Sequence, residues 1–405
     1  MTGTLLATLI PILTAPIMSR LFTAESYGIL GLFMGLSGLI GVIAFSHYSQ
    51  AILLTKENSD AKNIVWFAFF FSTIISVVTL VVLILLNFFT TLITFTVLSN
   101  WLYFLPLSIF FNGITSILLT WANRTKEFKQ LSFNKVFQAI LTAIVQIALG
   151  LLIKNETGLM VGLLLGQFIS VLLLTYKFLS SKESGIGLPQ LNSFKNIAIK
   201  YKNLLFYSTP SEFINNLINQ TPIFLLQKFA GVTYVGYYNF TIRFLGMPQI
   251  LLSSAIVDVF KQKASYTYNQ VGNCFEIFKK TFKVLVLLAI LPFIIFTFFA
   301  PNIFEFVFGS QWHGAGIFAQ LLAVLFFFRF VVSPLTYVYF IVGKFKEDFL
   351  LHILFLIVTT LSFYLGNLFF QNKNYLILVY SLSYSSVYLI YLLRSYKFSK
   401  GILTR

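Results

Sequence analysis

Charged residues are scarce in this chain, and cysteine is almost absent. Asp, Glu, Lys and Arg make up 10% of the 405 residues, whereas hydrophobic residues make up 58%. This composition excludes an ordinary soluble globular protein and indicates a chain that crosses a membrane many times. Cys274 is the only cysteine, which excludes an intramolecular disulfide and a cysteine-based metal site.

Acidic residues are rarer than basic ones. The chain has 12 Asp and Glu against 28 Lys and Arg, and its formal net charge is +16. In a soluble protein such an excess would favour nucleic acid as a partner. In a membrane protein we expect it to mark the loops that face the cytoplasm, and we expect no nucleic-acid partner.

Sequence motifs of catalysis are also missing. There is no nucleophile elbow, no HExxH and no phosphate-binding glycine loop, and His47, His313 and His352 are scattered along the chain. The segments predicted on the outer side are short, so they offer no large loop for the acid or base of a glycosyltransferase. We therefore expect no enzyme activity and no metal or cofactor, with H⁺ or Na⁺ left open as a coupling ion.

Hydrophobic stretches of helical length follow one another along the chain and predict an all-α polytopic membrane protein with 12 transmembrane helices. The first stretch lacks the basic flank of a cleaved signal, so we expect it to be retained. The predicted spans cover residues 1–19, 27–54, 64–94, 100–121, 132–153, 157–180, 204–227, 232–260, 282–302, 315–343, 348–371 and 374–393.

Lysine and arginine are distributed unevenly between the two sides of these spans. If both termini lie on one side, that side holds 22 of the 28 basic residues and the other side holds four. The remaining two, Arg243 and Arg329, lie within spans. Because basic loops remain in the cytoplasm, the pattern predicts that both termini are cytoplasmic.

Two longer cytoplasmic segments, 181–203 and 273–283, place apolar residues at helical spacing with lysines between them. Each predicts a short amphipathic helix that lies in the membrane interface. The first segment divides the chain into an N-terminal six-helix bundle (1–180), a linker (181–203) and a C-terminal six-helix bundle (204–405).

Matching landmarks occur in the same order in the two halves, at offsets of 208, 211 and 220 residues. Such a set is typical of a duplication with small insertions, and six spans per half make the repeat parallel. Parallel repeats commonly bind substrate between the halves and expose it to each side in turn. The pairs are Arg20–Gly28 with Lys228–Gly236, Trp101 with Trp312, and Lys126-Glu127 with Lys346-Glu347.

Charged side chains at mid-depth in a span are costly and usually face a bundle interior or a wet cavity. Arg243 in span eight and Arg329 in span ten lie at this depth, and the main acids within spans are Glu212 and Asp258. The excess of cations predicts an anion site, because guanidinium groups match diphosphate oxygens in bidentate geometry. The alternative is a structural ion pair between Arg243 and Glu212.

Further candidates lie at the outer membrane surface and in span seven. Arg20 ends span one, and Lys228 occupies the repeat-related place, with snorkelling to the interface as the alternative for both. Asn216 and Gln220 share a helix face with Glu212. This face predicts a polar cavity wall, although hydrogen bonds between helices would explain it nearly as well. Four prolines favour kinks in spans one and seven: Pro11, Pro16, Pro210 and Pro222.

Three segments resemble the O-antigen and polysaccharide flippases, the Wzx family: residues 16–22 with Tyr27-Gly28, 258–263 (DVFKQK) and 308–316 (FGSQWHGAG). That family belongs to the MOP superfamily, with the lipid II flippase MurJ and the MATE exporters. The resemblance covers nearly the whole chain. It implies a MATE/MurJ-like fold of two pseudo-symmetric six-helix bundles around a cationic cavity. The chain differs from MurJ in lacking an acid beside Arg20 and in ending after 12 spans.

The resemblance also implies a function. An undecaprenyl-diphosphate-linked oligosaccharide would move across the bacterial inner membrane by alternating access, for O-antigen, lipopolysaccharide or other polysaccharide synthesis. The implied partners are this lipid-linked glycan, membrane lipids, a polysaccharide polymerase and a chain-length regulator. Arg20 and Arg243 match cationic positions that MurJ-like proteins use at the diphosphate. The whole expected substrate-binding set is Arg20, Arg243, Arg329, Lys228, Asn216 and Gln220.

Other classes of protein stay open at this point. A MATE-like, cation-coupled drug or small-molecule antiporter would need acids in the membrane, for which Glu212 and Asp258 are the candidates. A membrane-bound glycan polymerase or ligase is disfavoured by the short outer loops. A major-facilitator transporter is disfavoured because the loop at 55–62 lacks the basic signature of that class.

Overall fold

The computed structural model describes residues 2–45, 48–89, 97–180, 191–249 and 254–401, and all regular structure in these residues is helical. In the same residues, ten helical segments are long and apolar enough to cross a membrane. The all-α polytopic class predicted from the sequence is therefore confirmed. His47 and residues 181–190 of the predicted linker lie outside the described residues.

By its contacts the chain divides into two compact units, Met1–Gln220 and Thr221–Arg405. The boundary falls inside helix α10, so the bundle and linker limits drawn from the sequence stay a prediction. The helices of the first unit, with α10 crossing the boundary, are α1 (Thr2–Leu13), α2 (Ala15–Leu21), α3 (Ala24–Phe45), α4 (Tyr48–Leu54), α5 (Asn58–Phe89), α6 (Leu105–Arg124), α7 (Phe128–Ile153), α8 (Glu156–Ser180), α9 (Leu191–Lys200) and α10 (Thr209–Phe229).

The second unit continues from α10 with a similar succession of long helices. They are α11 (Val232–Leu245), α12 (Ser254–Val271), α13 (Phe275–Phe308), α14 (His313–Val332), α15 (Val338–Val342), α16 (Phe345–Phe369) and α17 (Asn374–Ser399).

The internal repeat is visible in how each unit packs. In the first unit α6, the predicted span four, packs against α3, α5 and α8. In the second unit α14, the predicted span ten, packs against α11, α13 and α17, which occupy the corresponding places in the predicted order. Trp101 and Trp312 each lie in a 3-10 turn, Ser99–Phe104 and Ser310–Trp312, that leads into these two helices. Both helices contain 20 residues.

Helices α10, α11 and α12 are not among the ten apolar segments, although they correspond to the predicted spans seven and eight. They carry Glu212, Lys228, Arg243 and Asp258, and such charges lower the mean hydropathy of a helix. The predicted total of 12 spans is consistent with the structure and stays a prediction.

Two of the four prolines, Pro16 and Pro210, lie beside backbone interruptions in spans one and seven, whereas Pro11 and Pro222 lie within the continuous helices α1 and α10. Helix α1 ends at Leu13, and Pro16 lies in the first turn of α2, after a break at Thr14. In span seven a π-helical turn, Leu204–Ser208, precedes α10. Pro210 has no N–H to donate to the carbonyl four residues earlier, which explains why the backbone widens just before it.

The two predicted amphipathic segments have different outcomes. Residues 191–200 form a separate helix, α9. Its apolar face packs on protein, because Ile197 is buried in the core of the first unit and the Phe194 ring lies 5.5 Å from that of Phe67. The separate helix predicted at 273–283 is wrong: residues from Phe275 onward are the first turns of α13, which continues for 34 residues. No glycine or proline interrupts it before Pro292.

Large apolar side chains cover much of the surface. Leu287 is 76% exposed and Phe306 is 87% exposed, both on α13. Burial differs between helices: 67% of the apolar stretch of α3 is buried inside the protein, against 11% of the apolar stretch of α7. Exposed apolar area of this extent suits contact with lipid chains rather than water.

Candidate functional site

A polar cavity of about 570 Å³ lies in the first unit between α1, α6 and α7. Most of its lining groups are hydroxyls and amides. The lining residues are Thr4 on α1; Asn112, Thr115, Ser116, Leu119, Thr120 and Asn123 on α6; and Phe128, Leu131, Ser132 and Lys135 on α7.

Helix α6 has one polar and one apolar face, and its polar face supplies most of the residues that line the cavity. Its cavity residues recur at spacings of three and four, which places them on one side of the helix. The other side holds buried apolar side chains, among them Ile114, Ile117 and Leu118. The helix therefore packs into the core of the first unit with one face and presents a polar stripe with the other.

The hydrogen bonds of the lining leave acceptor positions on its hydroxyl groups. Thr120 Oγ1 donates to the Ser116 carbonyl at 2.9 Å. Its lone pairs remain able to accept a hydrogen bond from a ligand. Asn112 is held in place, because its amide donates to Ser108 Oγ and its carbonyl oxygen accepts from the Gln167 amide, both at 3.4 Å.

Lys135 supplies the charge of this cavity. It is half-buried, and its Nζ donates to Thr4 Oγ1 at 3.2 Å. Among the residues that line the cavity there is no Asp or Glu. The cavity is therefore suited to a ligand that combines many hydroxyl groups with a negative charge.

Gly3 brings α1 close enough for this contact. A Cβ atom at Gly3 would overlap the Ser132 side chain and lie only 2.6 Å from the Ser132 Cα. The absence of a side chain at Gly3 thus lets α1 approach α7 and places Thr4 beside Lys135.

A second cationic cluster lies in the second unit around Arg329 of α14. The Arg329 guanidinium carbon lies 5.7 Å from the centre of the Phe326 ring. Four tyrosine side chains lie near it. In the described residues Arg329 forms no ion pair with a carboxylate. The tyrosines are Tyr238 on α11 and Tyr380, Tyr384 and Tyr388 on α17.

The three tyrosines of α17 form a continuous stripe beside Arg329. Ring centres of Tyr380 and Tyr384 are 5.4 Å apart, and those of Tyr384 and Tyr388 are 5.5 Å apart. Phe355 of α16 packs on this stripe, with its ring centre 4.4 Å from that of Tyr384. Aromatic faces and phenol oxygens thus surround the cation without cancelling its charge.

The predicted polar wall of span seven is present in part. Asn216 donates from its side-chain amide to the Glu212 carboxylate at 3.1 Å. The Gln220 amide lies near α3, 3.7 Å from where a Cβ atom of Gly38 would stand. Arg20 is exposed at the end of α2. No hydrogen bond in the described part of this unit joins it to the Glu212 group.

The other predicted residues lie in the second unit. Lys228 donates to the Tyr364 hydroxyl at 2.9 Å and lies 5.0 Å from the centre of that ring. Arg243 is half-buried in the last turn of α11, and Asp258 is exposed on α12. The substrate role of all these residues, and the pairing of Arg243 with Glu212, stay predictions.

The sequence reasoning passed over the polar stripe of α6, Lys135 and the tyrosine stripe of α17. Polar residues at positions 112, 115, 116, 120 and 123, and tyrosines at 380, 384 and 388, both follow helical spacing. A search for neutral polar stripes within spans would have found them. In the described residues no group of three or more His, Cys, Asp or Glu side chains could hold a metal ion.

Solved structures share this fold over nearly their whole length. An inward-closed structure of the lipid II flippase MurJ has a TM-score of 0.76 and 14% identity, over 98% of this chain and 87% of that one. An inward-facing multidrug resistance MATE transporter of the MOP superfamily has a TM-score of 0.73 and 14% identity, over 96% and 93%. A MOP superfamily transporter from Pyrococcus furiosus has a TM-score of 0.63 and 14% identity, over 99% and 94%.

These likenesses establish the fold as that of the MOP transporters and flippases. The family is established by sequence, since a family model described as polysaccharide biosynthesis protein matches residues 17–317. This chain belongs to that family. The resemblance to polysaccharide flippases of the MOP superfamily is thereby confirmed. Among curated protein sequences, none matches the chain.

Proposed function

We propose that this protein flips an undecaprenyl-diphosphate-linked oligosaccharide across the bacterial inner membrane by alternating access, for O-antigen or related polysaccharide synthesis. The observation that carries the proposal is the polar, carboxylate-free cavity with Lys135, found in a member of a polysaccharide biosynthesis family. The family and the fold support transport of a lipid-linked substrate. The hydroxyl, amide and ammonium groups of the cavity favour a substrate that carries sugars and a negative charge.

The glycan part of the substrate fits the hydroxyl and amide groups of α6. Sugars expose alternating donors and acceptors, and side chains such as Thr120 and Asn123 provide both. Each such hydrogen bond contributes about 0.5–1.5 kcal/mol. Specificity would then come from several modest contacts along the stripe.

The diphosphate part needs cations. Lys135 lies in the cavity itself, and we add it to Arg20, Arg243 and Arg329 as groups that attract the diphosphate. Arg329 supports this role because, in the described residues, no carboxylate neutralises it. Hydrogen bonds to charged groups contribute about 1.5–3 kcal/mol each. The loss of one cation is therefore expected to reduce transport about 10- to 100-fold.

The second candidate is a MATE-like antiporter, which the shared fold with a MATE transporter favours. Such a protein would use a membrane acid for cation exchange, and Glu212 is the candidate. Its carboxylate accepts a hydrogen bond from Asn216 and is exposed. The absence of acids from the lining of the α6 cavity makes this candidate weaker, because a cationic drug would meet Lys135 there.

Gene deletion in the host bacterium separates the two. Under the proposal, deletion abolishes surface polysaccharide, and lipid-linked oligosaccharide accumulates on the cytoplasmic face. Lys135→Gln expressed at normal level should restore less than about a tenth of the polysaccharide, because a charge-assisted contact is lost.

Lys129→Gln is the matched control, since Lys129 is an exposed lysine of the same helix that does not line the cavity. It should restore the polysaccharide fully. Intact polysaccharide in the deletion strain, together with new sensitivity to cationic dyes, would instead establish the antiporter. Full restoration by Lys135→Gln would remove Lys135 from the site while leaving the flippase assignment in place.

A further inference from the structure

A groove with a volume of about 420 Å³ lies between α12 and α13. Its floor is apolar, with Ile277 half-buried and Val259 and Val284 still 50% and 42% exposed. At its edge stand Lys263 of α12 and Lys280 of α13.

The two lysines are free to bind an anion. Both are exposed. In the described residues neither forms an ion pair, and the nearby acids Asp258 and Glu276 do not line the groove. The Thr281 hydroxyl lies at the same edge and offers a hydrogen-bond donor. Two lysines and one threonine thus line a groove whose other lining residues are apolar.

The other basic residues of this region point elsewhere. Lys261 lies 4.9 Å from the centre of the Tyr337 ring. Lys279 and Lys283 are exposed on α13 and do not line the groove. The groove therefore selects two of the five lysines between residues 261 and 283, which a merely basic loop would not do.

We propose that this groove binds an anionic phospholipid of the cytoplasmic leaflet, such as phosphatidylglycerol. Its phosphate would lie between Lys263 and Lys280, and an acyl chain would follow Val259, Ile277 and Val284. Charge and apolar surface together select this occupant. Nucleic acid would leave the apolar floor exposed, and an apolar peptide would leave the lysines without a partner. The distribution of basic residues predicts that Lys263 and Lys280 lie on the cytoplasmic side of the membrane, where basic residues meet anionic lipid headgroups.

Native mass spectrometry of the purified full-length protein tests the proposal. Phosphatidylglycerol and phosphatidylcholine are titrated separately in mild detergent, and the bound lipid is counted. Each lysine near an anionic headgroup is expected to contribute about fivefold in affinity. The double variant Lys263→Gln/Lys280→Gln should therefore bind phosphatidylglycerol about 25-fold more weakly.

The double variant Lys279→Gln/Lys283→Gln removes the same charge from the same region and should change affinity by less than about threefold. Equal losses in the two double variants would overturn the proposal. Equal affinity of the unmodified protein for phosphatidylcholine would overturn it as well, and so would displacement of the lipid by millimolar inorganic phosphate. If the double variant does not fold, Lys280→Gln and Lys279→Gln form a single-residue pair, with about a fivefold loss expected for the first alone.

Discussion

Arg124 ends α6 and holds the turn between α4 and α5. One of its terminal nitrogens donates to the Ile52 and Thr55 carbonyls at 2.7 and 2.8 Å. Its other nitrogens donate to the Lys56 carbonyl and to Asn58 Oδ1 at 3.1–3.2 Å. The planar fork of arginine suits this set of acceptors, which a lysine could not reproduce. From the sequence alone, Arg124 is only one of the 22 basic residues predicted on the cytoplasmic side.

Cys274 is fully buried just before α13, where its backbone N–H donates to the Ser399 carbonyl at 2.8 Å. Burial disfavours the thiolate and raises the pKa of the Cys274 thiol to about 11. The thiolate is the form that reacts with maleimides. At pH 8 a thiol with this pKa is about 0.1% ionised, against about a quarter for an exposed thiol of ordinary pKa.

We expect maleimide to label Cys274 about 200-fold more slowly than an exposed cysteine at pH 8. The rate should rise about tenfold per pH unit up to the pKa, because each unit raises the thiolate fraction tenfold. Mass spectrometry of timed reactions measures this rate. The same protein unfolded in dodecyl sulfate is the control and should label quickly. Rapid labelling of the folded protein at pH 7 would contradict the burial of Cys274.

At the scale of elements, the 308–316 segment shows what a family-like motif does in the fold. Trp312 is buried and stacks on Phe240 of α11 with ring centres 3.9 Å apart. Gly316 lets α14 approach α13 closely, since a Cβ atom there would lie 2.5 Å from the Pro301 Cα and 2.8 Å from the Ala300 oxygen. These contacts are structural, and they bring α11, α13 and α14 together.

Gly316→Ala is therefore expected to destabilise the second unit by about 1–3 kcal/mol, because backbone atoms cannot move aside as a side chain can. Thermal unfolding of the purified protein in detergent measures the change. Gly38→Ala is the control, because the nearest atom to its Cβ outside its own helix lies 3.7 Å away. That control should be neutral or stabilising by up to about 1 kcal/mol. Equal drops in Tm for the two variants would contradict the packing argument.

At the scale of the whole molecule, the number of spans depends on the charged helices α10, α11 and α12. The loop charges predict that these helices cross the membrane, which gives 12 spans and two cytoplasmic termini. Hydropathy alone does not identify them, because α10 and α12 are rich in charged and amide side chains and α11 is only 14 residues long. Helices α6 and α14, the predicted spans four and ten, pack against corresponding helices in their own units, and this supports equal numbers of spans in both halves.

Single cysteines test the topology with a membrane-impermeant maleimide on intact cells. Cysteines at Asn155 and Ala230 should react from outside, whereas those at Lys202 and Gln262 should react only after permeabilisation. The slow reaction expected of Cys274 keeps the background low. If positions 202, 230 and 262 all label from the same side, α10 and the α11–α12 pair do not span the membrane, and the count of 12 is wrong.

The sequence by itself determined the class, the helical succession, the repeat and the family resemblance. Each follows from local quantities: hydropathy over about 20 residues, basic residues in loops, and short motifs. It also singled out Arg329, because a charge within an apolar span is conspicuous wherever the helix packs. Continuous helix from Phe275 onward was missed, because an amphipathic pattern does not tell a separate helix from the first turns of a longer one.

Only the tertiary structure decided where the polar groups meet. The α6 cavity joins Thr4 to the stripe from Asn112 to Asn123 and to Lys135, and Thr4 lies more than 100 residues before the others along the chain. Neutral hydroxyls in a span cost little when they bond to their own helix, as Thr120 does. Nothing in the local pattern therefore distinguishes them from satisfied packing residues until three helices bring them around one cavity.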